Sequence, residues 1–246
     1  MEQAAHPLAP GLYVVATPIG NLGDITLRAL KILKSVDLIA CEDTRTTAKL
    51  LRHYDIVRAM VSYHEHNERA RASEIADKIQ NGSRVALVCD AGTPAVSDPG
   101  FRLVRECRIR RLLVVPIPGP SAFTTALCAS GLPSNAFLFL GFLSNKSAAR
   151  VRTLENYRNF PHTLILYESC HRAQKLLGEI VQVFGHERVI AIGRELTKLH
   201  ETFYRGNAGE LQKILDTSQC RGEFVFLIAP EDFSSNEVPV WAPNAT

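Results

Sequence analysis

Isolated cysteines and the absence of long apolar runs limit what this chain can be. No C-x-x-C pair occurs and no two histidines have zinc-ligand spacing, so we expect reduced, structural thiols and no metal site. Reduced thiols indicate an intracellular, cytoplasmic protein. The first ten residues lack the regions of a secretion signal, and no apolar run reaches the roughly eighteen residues of a membrane-spanning helix. The six cysteines are Cys41, Cys89, Cys107, Cys128, Cys170 and Cys220.

Three familiar loop signatures are also missing. The stretch "VALVCDAGTPAVSDPG", residues 85–100, enters a glycine- and proline-rich loop from an apolar strand, but no lysine follows it as in a phosphate-binding loop. The chain has neither the G-x-G-x-x-G of a dehydrogenase nor the G-x-S-x-G of a serine hydrolase. The loop carries Asp90 and Asp98 instead, which would repel a phosphate and suit a neutral or cationic ligand.

Charge of one sign is not in large excess. Lysine and arginine outnumber aspartate and glutamate by 28 to 25, so net charge alone does not predict a nucleic-acid partner. Two basic runs are each interpreted most simply as solvated helix faces, although together they would permit an anionic polymer as partner. The runs consist of Arg102, Arg105, Arg108, Arg110 and Arg111, and of Lys146, Arg150, Arg152 and Arg158.

Apolar strands alternate with helical segments and predict an α/β fold of two domains. Residues 1–118 are expected to form an N-terminal domain with a mostly parallel sheet, including a helix capped by Asp24 and another over Glu68–Gln80. Residues 119–231 are expected to form a domain with a mixed sheet, because three strand candidates follow one another near its end with little helix between them. The polar, proline-containing tail, 232–246, is expected to be loose.

Each predicted strand of the first domain ends in a cluster of polar or turn-forming residues. The carboxyl ends of parallel strands meet at one edge of a sheet, where ligands bind in open α/β folds. Five clusters at one edge therefore predict a ligand cleft. The clusters are 17–21, 42–45, 64–67, 90–100 and 118–121.

Simpler interpretations exist for two of these clusters. Glu42, Asp43 and Thr44 could form the acidic first turn of a helix with Arg45 as partner. His64 and His66 are two residues apart, so on a strand both would face one side and could suit a metal, but no third ligand has a recognisable spacing. Hydrogen-bonding or substrate-contact roles are therefore favoured for both histidines.

Eight ordered segments resemble the tetrapyrrole-methylase superfamily. Within it they are similar to the branch that methylates the ribose 2′-hydroxyl of a cytidine in small-subunit (16S) ribosomal RNA. The resemblance covers about residues 11–230. The segments are "LYVVATPIGNLGDIT", "CEDTR", "HEHNE", "DAGTPAVSDPG", "PIPGPSAFTTALCASGLP", "GFLSNK", "YESCHR" and "RELTKLHE".

The resemblance implies an S-adenosylmethionine-dependent methyltransferase that is a homodimer, with the cofactor in the cleft between two α/β domains. A sulfonium cofactor without phosphate would explain a loop that has carboxylates and no lysine. Matching of the motifs assigns the cofactor contacts to Ile19, Thr93, Pro94, Val96, Ser121, Ala122, Tyr167, Glu168, Leu196 and Thr197.

A ribose hydroxyl is a poor nucleophile, so a general base is expected beside it. Glu42, His64, Lys146 and Glu195 lie in matched motifs and are the candidates, without a firm order among them. Contacts to RNA phosphates are expected from Arg45, Lys146 and Arg172. Two alternatives are a tetrapyrrole C-methyltransferase of the same fold, whose glycine-rich first loop is absent here, and a non-catalytic RNA-binding module.

Overall fold

The computed structural model describes residues 8–217 and 221–233. It divides the chain into two compact units, Met1–Ser121 and Ala122–Thr246. Cys220 and all but the first two residues of the tail expected to be loose lie outside the described residues. Within the described ranges, every helix falls short of the length and apolarity needed to span a bilayer.

The first unit is built on a five-stranded sheet with strand order β3-β2-β4-β1-β5. All four strand pairs are parallel, which confirms the predicted α/β class and parallel sheet. The elements are β1 (Gly11–Val15), α1 (Leu27–Leu33), β2 (Leu38–Cys41), α2 (Thr44–His53), β3 (Ala59–Ser62), α3 (Glu68–Gln80), β4 (Arg84–Val88), α4 (Phe101–Ile109) and β5 (Val114–Ile117).

Helices cover both faces of this sheet. Successive residues of a strand point to opposite faces, and Tyr13 of β1 packs with α1 and α2 whereas Leu12 packs with α3 and α4. The chain leaves β1 through α1 on one face and leaves the neighbouring β4 through α4 on the other. The boundary between β1 and β4 is therefore the point at which an open α/β sheet forms its ligand crevice.

The prediction that Asp24 caps α1 is wrong. Asp24 belongs to a short 3-10 helix, Leu22–Asp24, which Asn21 caps by accepting a hydrogen bond from the main-chain N–H of Gly23. Thr26 caps α1 instead, because its backbone is extended immediately before the helix and its hydroxyl accepts from the N–H of Ala29 at 3.0 Å. A hydroxyl at the N-cap satisfies a helix amide that would otherwise lack an acceptor.

The second unit also contains a five-stranded sheet, with strand order β6-β7-β10-β8-β9. Strands β6 and β7 are parallel and the other pairs are antiparallel, which confirms the predicted mixed sheet. The elements are α5 (Ala122–Ala129), β6 (Phe137–Phe142), α6 (Ser147–Asn156), β7 (Thr163–Ser169), α7 (Cys170–Phe184), β8 (Val189–Arg194), β9 (Thr202–Asn207), α8 (Ala208–Thr217) and β10 (Glu223–Ile228).

Helix α8 was not expected between the last strands. Its buried residues Ala208, Leu211 and Leu215 have the spacing of one helix face and join the core beside α7. Gly209 interrupts the helical pattern of the sequence. Glycine is required at this position because a Cβ would lie 2.6 Å from Nδ1 of His186. The apolar spacing was present in the sequence, but a glycine required by close packing weakened the helical signal.

Candidate functional site

Two loops meet at the carboxyl edge of the first sheet, after β1 and β4. The N–H of Thr17 donates to the carbonyl of Gly92 at 2.8 Å, and the N–H of Gly92 donates back to Thr17 at 3.0 Å. The Thr17 hydroxyl is buried and donates to the carbonyl of Cys89 at 3.1 Å. These bonds fix the two loops to each other at the boundary where the crevice is expected.

The loop of residues 90–100 has an unusual backbone. Ala95 and Ser97 have φ of 69° and 61°, and Gly100 has φ of 146°. Left-handed conformations at non-glycine residues cost about 1–3 kcal/mol each and cluster at functional sites. The hydroxyl of Thr93 donates to the carbonyl of Pro120 at 3.1 Å, which ties this loop to the segment after β5. The surroundings therefore hold a strained main chain in one shape.

The predicted cofactor residues of the first unit belong to these connected loops. Ile19 is buried, and its Cγ2 lies 3.5 Å from the place of a Cβ on Gly92. Pro94 is buried, whereas Thr93 and Val96 are half-buried. Ser121 is the last residue of the unit and follows the segment to which Thr93 is bonded.

Carboxylates after β2 and β4 form a second part of this edge. The N–H of Asp43 donates to Asp90 at 3.1 Å, so the two clusters are in contact. Burial, followed by the charge of Asp90, raises the pKa of Glu42, although the Asp90 main chain and His64 partly oppose this. Burial also raises the pKa of Asp90 itself. Half-buried Glu42 is therefore suited to receive a proton.

Asp43 and Arg45 have the structural role that the simpler interpretation gave them. Asp43 is the N-cap of α2 and accepts from the N–H of Arg45 at 2.8 Å. The Arg45 side chain forms an ion pair with the same carboxylate at 2.6 Å, and its hydrogen bonds lower the pKa of Asp43 to about 2. The Arg45 side chain is 87% exposed, so the guanidinium can still contact an anionic partner.

His64 and His66 lie in the turn between β3 and α3, after the strand, so the same-side geometry that they would have on a strand does not apply. Their ring centroids are 5.9 Å apart. The His64 ring contacts Asn67 through Nε2, whereas its Nδ1 is buried and finds no hydrogen-bond partner in residues 8–217 and 221–233. Among the residues described here, no group of three His, Cys, Asp or Glu side chains could hold a metal ion.

In the second unit, Tyr167 and Glu168 lie at the end of β7. The Tyr167 hydroxyl accepts from the N–H of Phe123 at 3.0 Å, which connects it to the start of α5, where the predicted contact Ala122 lies. Buried Glu168 accepts from Arg172 through Oε1 at 2.8 and 2.7 Å. Its Oε2 is buried and, within the described part of the chain, has no hydrogen-bond partner.

Lys146 is exposed on a loop that a buried ion pair holds in place. Arg150 donates to Glu179 from Nε and Nη2, both at 2.7 Å. From Nη1 it also donates to the main-chain carbonyls of Ser144 and Asn145 at 3.0 and 3.2 Å. Arg150 was expected on a solvated basic face, but its side chain is 1% exposed. An acid at 179 among the apolar residues of α7 was the available signal for a buried partner.

The same loop is connected to Arg172. The Arg172 guanidinium donates from Nη1 to the side-chain oxygen of Asn145, the residue before Lys146, and also forms an ion pair with Glu168. Lys146, Arg172 and Glu168 therefore belong to one hydrogen-bonded region of the second unit.

Glu195, Leu196 and Thr197 form a tight turn after β8. Glu195 and Thr197 have φ of 49° and 66°. Burial opposes ionisation of Glu195, but hydrogen bonds from Lys198 and the Glu223 main chain lower its pKa below the ordinary value. The Lys198 ammonium lies 2.8 Å from the Glu195 carboxylate. Glu195 therefore behaves as a structural anion rather than as a poised base.

Comparisons with known proteins identify the family of this chain. The profile of the family described as Tetrapyrrole (Corrin/Porphyrin) Methylases matches residues 11–212. A "Ribosomal RNA small subunit methyltransferase I" of Mesorhizobium japonicum is 49% identical over 240 residues, covering 96% of this chain and 81% of that protein. A protein of the same name from Escherichia coli O157:H7 is 46% identical, with coverages of 97% and 84%.

Solved structures show the same fold at low sequence identity. The methyltransferase CobJ has a TM-score of 0.68 and 16% identity, covering 95% of this chain and 99% of that one. A uroporphyrin-III-C-methyltransferase from Thermus thermophilus has a TM-score of 0.62 and 18% identity, with coverages of 90% and 94%. The chain therefore belongs to the tetrapyrrole (corrin/porphyrin) methylase family, and within it to the ribosomal RNA small subunit methyltransferase I proteins.

Proposed function

We propose that this protein transfers a methyl group from S-adenosylmethionine to the ribose 2′-hydroxyl of a cytidine in 16S ribosomal RNA. The observation that carries the proposal is the 49% identity, over 96% of the chain, to a relative whose name specifies small-subunit ribosomal RNA and methyl transfer. The choice of cofactor, ribose and cytidine is based on the motif resemblance. We also propose a homodimer that acts in the cytoplasm.

The chemistry of the site fits this cofactor. A strained main-chain loop without lysine, together with carboxylates, suits a sulfonium compound that carries no phosphate, and Oε2 of Glu168 could accept from one of its hydroxyl or amino groups. When bound, the cofactor supplies a methyl group on a cationic sulfur whose departure needs no acid. The residues proposed to hold it are Ile19, Thr93, Pro94, Val96, Ser121, Ala122, Tyr167, Glu168, Leu196 and Thr197.

Glu42 is proposed as the group that receives the proton of the ribose hydroxyl. The hydroxyl would lose its proton to the carboxylate as the new O–CH₃ bond forms and the methyl–sulfur bond breaks, with the electron pair of that bond remaining on sulfur as a neutral thioether. Burial and the charge of Asp90 raise the pKa of Glu42, which strengthens it as a base. Glu195 is less suited, because its ion pair with Lys198 lowers its pKa.

Lys146, Arg45 and Arg172 are proposed to position the RNA. Lys146 and Arg45 are exposed, and Arg172 is partly exposed beside the Lys146 loop. Contacts of cations with phosphates orient a nucleic acid without specifying its bases. Specificity for one nucleotide would then come from a single-stranded base and from the shape of the ribosomal subunit.

The proposal is tested with methyl-labelled S-adenosylmethionine and small subunits from cells that lack the enzyme. Mass spectrometry of the digested RNA should find one additional methyl group on the ribose of a cytidine. Label on a base, or none in RNA, would show that the proposal is wrong. Transfer to a tetrapyrrole in a parallel assay would favour the alternative methyltransferase.

Glu42→Gln tests the assignment of the base. We expect kcat to fall by about 10²–10⁴-fold, the typical contribution of general-base catalysis. Cofactor affinity, measured by calorimetry, should stay within about twofold because the proposed role is confined to the methyl acceptor. Glu65→Gln is the matched control, since Glu65 is exposed in a neighbouring loop of the same edge. Equal loss in both variants, or weaker cofactor binding in Glu42→Gln, would contradict the assignment.

A further inference from the structure

The orientation of the Asn67 amide is determined by two main-chain groups. Its oxygen accepts a hydrogen bond from the N–H of His64 at 2.9 Å, and only an oxygen can do so. Its nitrogen donates to the carbonyl of Ser62 at 3.2 Å, and only an N–H can do so. Exchanging the amide oxygen and nitrogen would break both bonds, so the amide has one allowed orientation.

This orientation determines which nitrogen of His64 carries the proton. The Asn67 nitrogen also lies 3.2 Å from Nε2 of the imidazole. Because the amide nitrogen is a donor, Nε2 must be the acceptor in this contact. A neutral imidazole has one N–H, so the proton must be on Nδ1. Nδ1 is buried and has no hydrogen-bond partner among the residues that the structure describes.

We propose that Asn67 is a positioning residue that holds His64 as the Nδ1–H tautomer, so that His64 donates a hydrogen bond to an oxygen of the bound RNA substrate. In this role His64 is not the general base. The part of the inference that concerns RNA rests on the proposed function, whereas the tautomer follows from the protein alone. A buried donor without a partner has a desolvation cost that an acceptor oxygen of the substrate would remove.

The surroundings of His64 agree with a donor role. Two titratable groups among the described residues are near it: Glu42, after β2, interacts with it electrostatically, and the ring of His66, in the same turn, lies 5.9 Å away. Glu42 and His64 are close enough to interact electrostatically, so the two side chains belong to the same small region. A base on Glu42 and a donor on His64 are the complementary groups that a ribose hydroxyl needs.

Nitrogen-15 NMR of the free protein tests the tautomer directly. In a neutral imidazole, the protonated and the unprotonated ring nitrogen have well-separated nitrogen-15 chemical shifts. The His64 signals are identified among those of the eight histidines by their loss in His64→Asn. We expect the proton on Nδ1. Asn67→Asp keeps an acceptor for the main-chain N–H of His64, but a carboxylate cannot donate to the ring Nε2. The ring proton should therefore move from Nδ1 to Nε2. Asn81→Asp, an identical exchange at the other end of α3, should leave the signals unchanged.

Two results would overturn the inference about the tautomer. One is a proton on Nε2 in the unaltered protein. The other is an Nδ1–H signal that Asn67→Asp does not change, which would mean that Asn67 does not determine the tautomer. Neither measurement needs RNA or turnover. If the tautomer is as expected but no RNA is methylated, the proposed function fails while the role of Asn67 stands.

Two replacements of His64 test the donor role. The side-chain nitrogen of asparagine occupies nearly the same place as Nδ1, whereas the amide of glutamine reaches the place of Nε2. We expect His64→Asn to retain most of kcat and His64→Gln to lose about 10²-fold, a typical effect of removing one stabilising donor. An amide cannot act as a base. Equal, severe losses in both variants would therefore overturn the donor role in favour of His64 as the base.

Discussion

Glu179→Gln should destabilise the second unit strongly, because it would leave the Arg150 guanidinium buried without a counter-charge. The two side chains are 1% and 7% exposed and share two hydrogen bonds of 2.7 Å. Removing one partner of a buried ion pair costs about 3–5 kcal/mol, mostly from the charge that remains. The Glu179 carboxylate also accepts from the Ser147 hydroxyl at 2.6 Å. We therefore expect a loss near the upper end of that range.

Urea unfolding, followed by a probe of the second unit, measures the change in the free energy of unfolding. Glu155→Gln is the matched control on α6, where the side chain is exposed, and should change stability by less than about 0.5 kcal/mol. The double replacement Arg150→Met with Glu179→Leu should recover most of the loss, because an apolar pair needs no counter-charge. A cost below about 1 kcal/mol for Glu179→Gln would refute the account of the buried pair.

Three further predictions concern pH, backbone and capping. Burial opposes ionisation of Glu179, but hydrogen bonds from Arg150 and the Ser147 hydroxyl lower its pKa. The carboxylate should therefore stabilise the fold fully above its unfolded pKa, and this stabilisation should decline as the pH falls through the folded pKa. Measuring the free energy of unfolding across an acid titration checks this. Gly100→Ala should cost about 1–3 kcal/mol in denaturant unfolding, because φ is 146° and a Cβ would be 3.0 Å from a backbone nitrogen. Thr26→Ala should cost about 1 kcal/mol in the same assay through loss of the α1 cap.

The layout of the first sheet was predictable because periodicity and turn residues agree along most of that part of the chain. The helix expected over Glu68–Gln80 has those bounds, and the strands end where apolar runs meet polar clusters. Since parallel strands bring their carboxyl ends to one edge, the clusters containing Glu42 and Asp90 could be placed together without knowing the strand order. The contact between Asp43 and Asp90 is consistent with that placement.

What could not be predicted depends on contacts between residues distant in sequence. Arg150 looked like part of a solvated basic run. Its partner Glu179 lies on the next helix, α7, and the residues around Arg150 do not identify that partner. Asp24 and Thr26 are both good caps in sequence, and only the backbone conformation before α1 decides between them. The tautomer of His64 requires the orientation of a neighbouring amide, which no residue pattern specifies.

The paired hydrogen bonds between Thr17 and Gly92 involve main-chain atoms alone. The connection between the two loops therefore does not depend on the chemistry of a side chain at either position, although Gly92 has a φ of 84° that favours glycine. Proline is the replacement that neither residue can tolerate without losing a bond, since it has no N–H. The carboxyl edge of the first sheet thus combines a main-chain connection between two loops with side chains, such as Glu42 and His64, that supply the chemical groups.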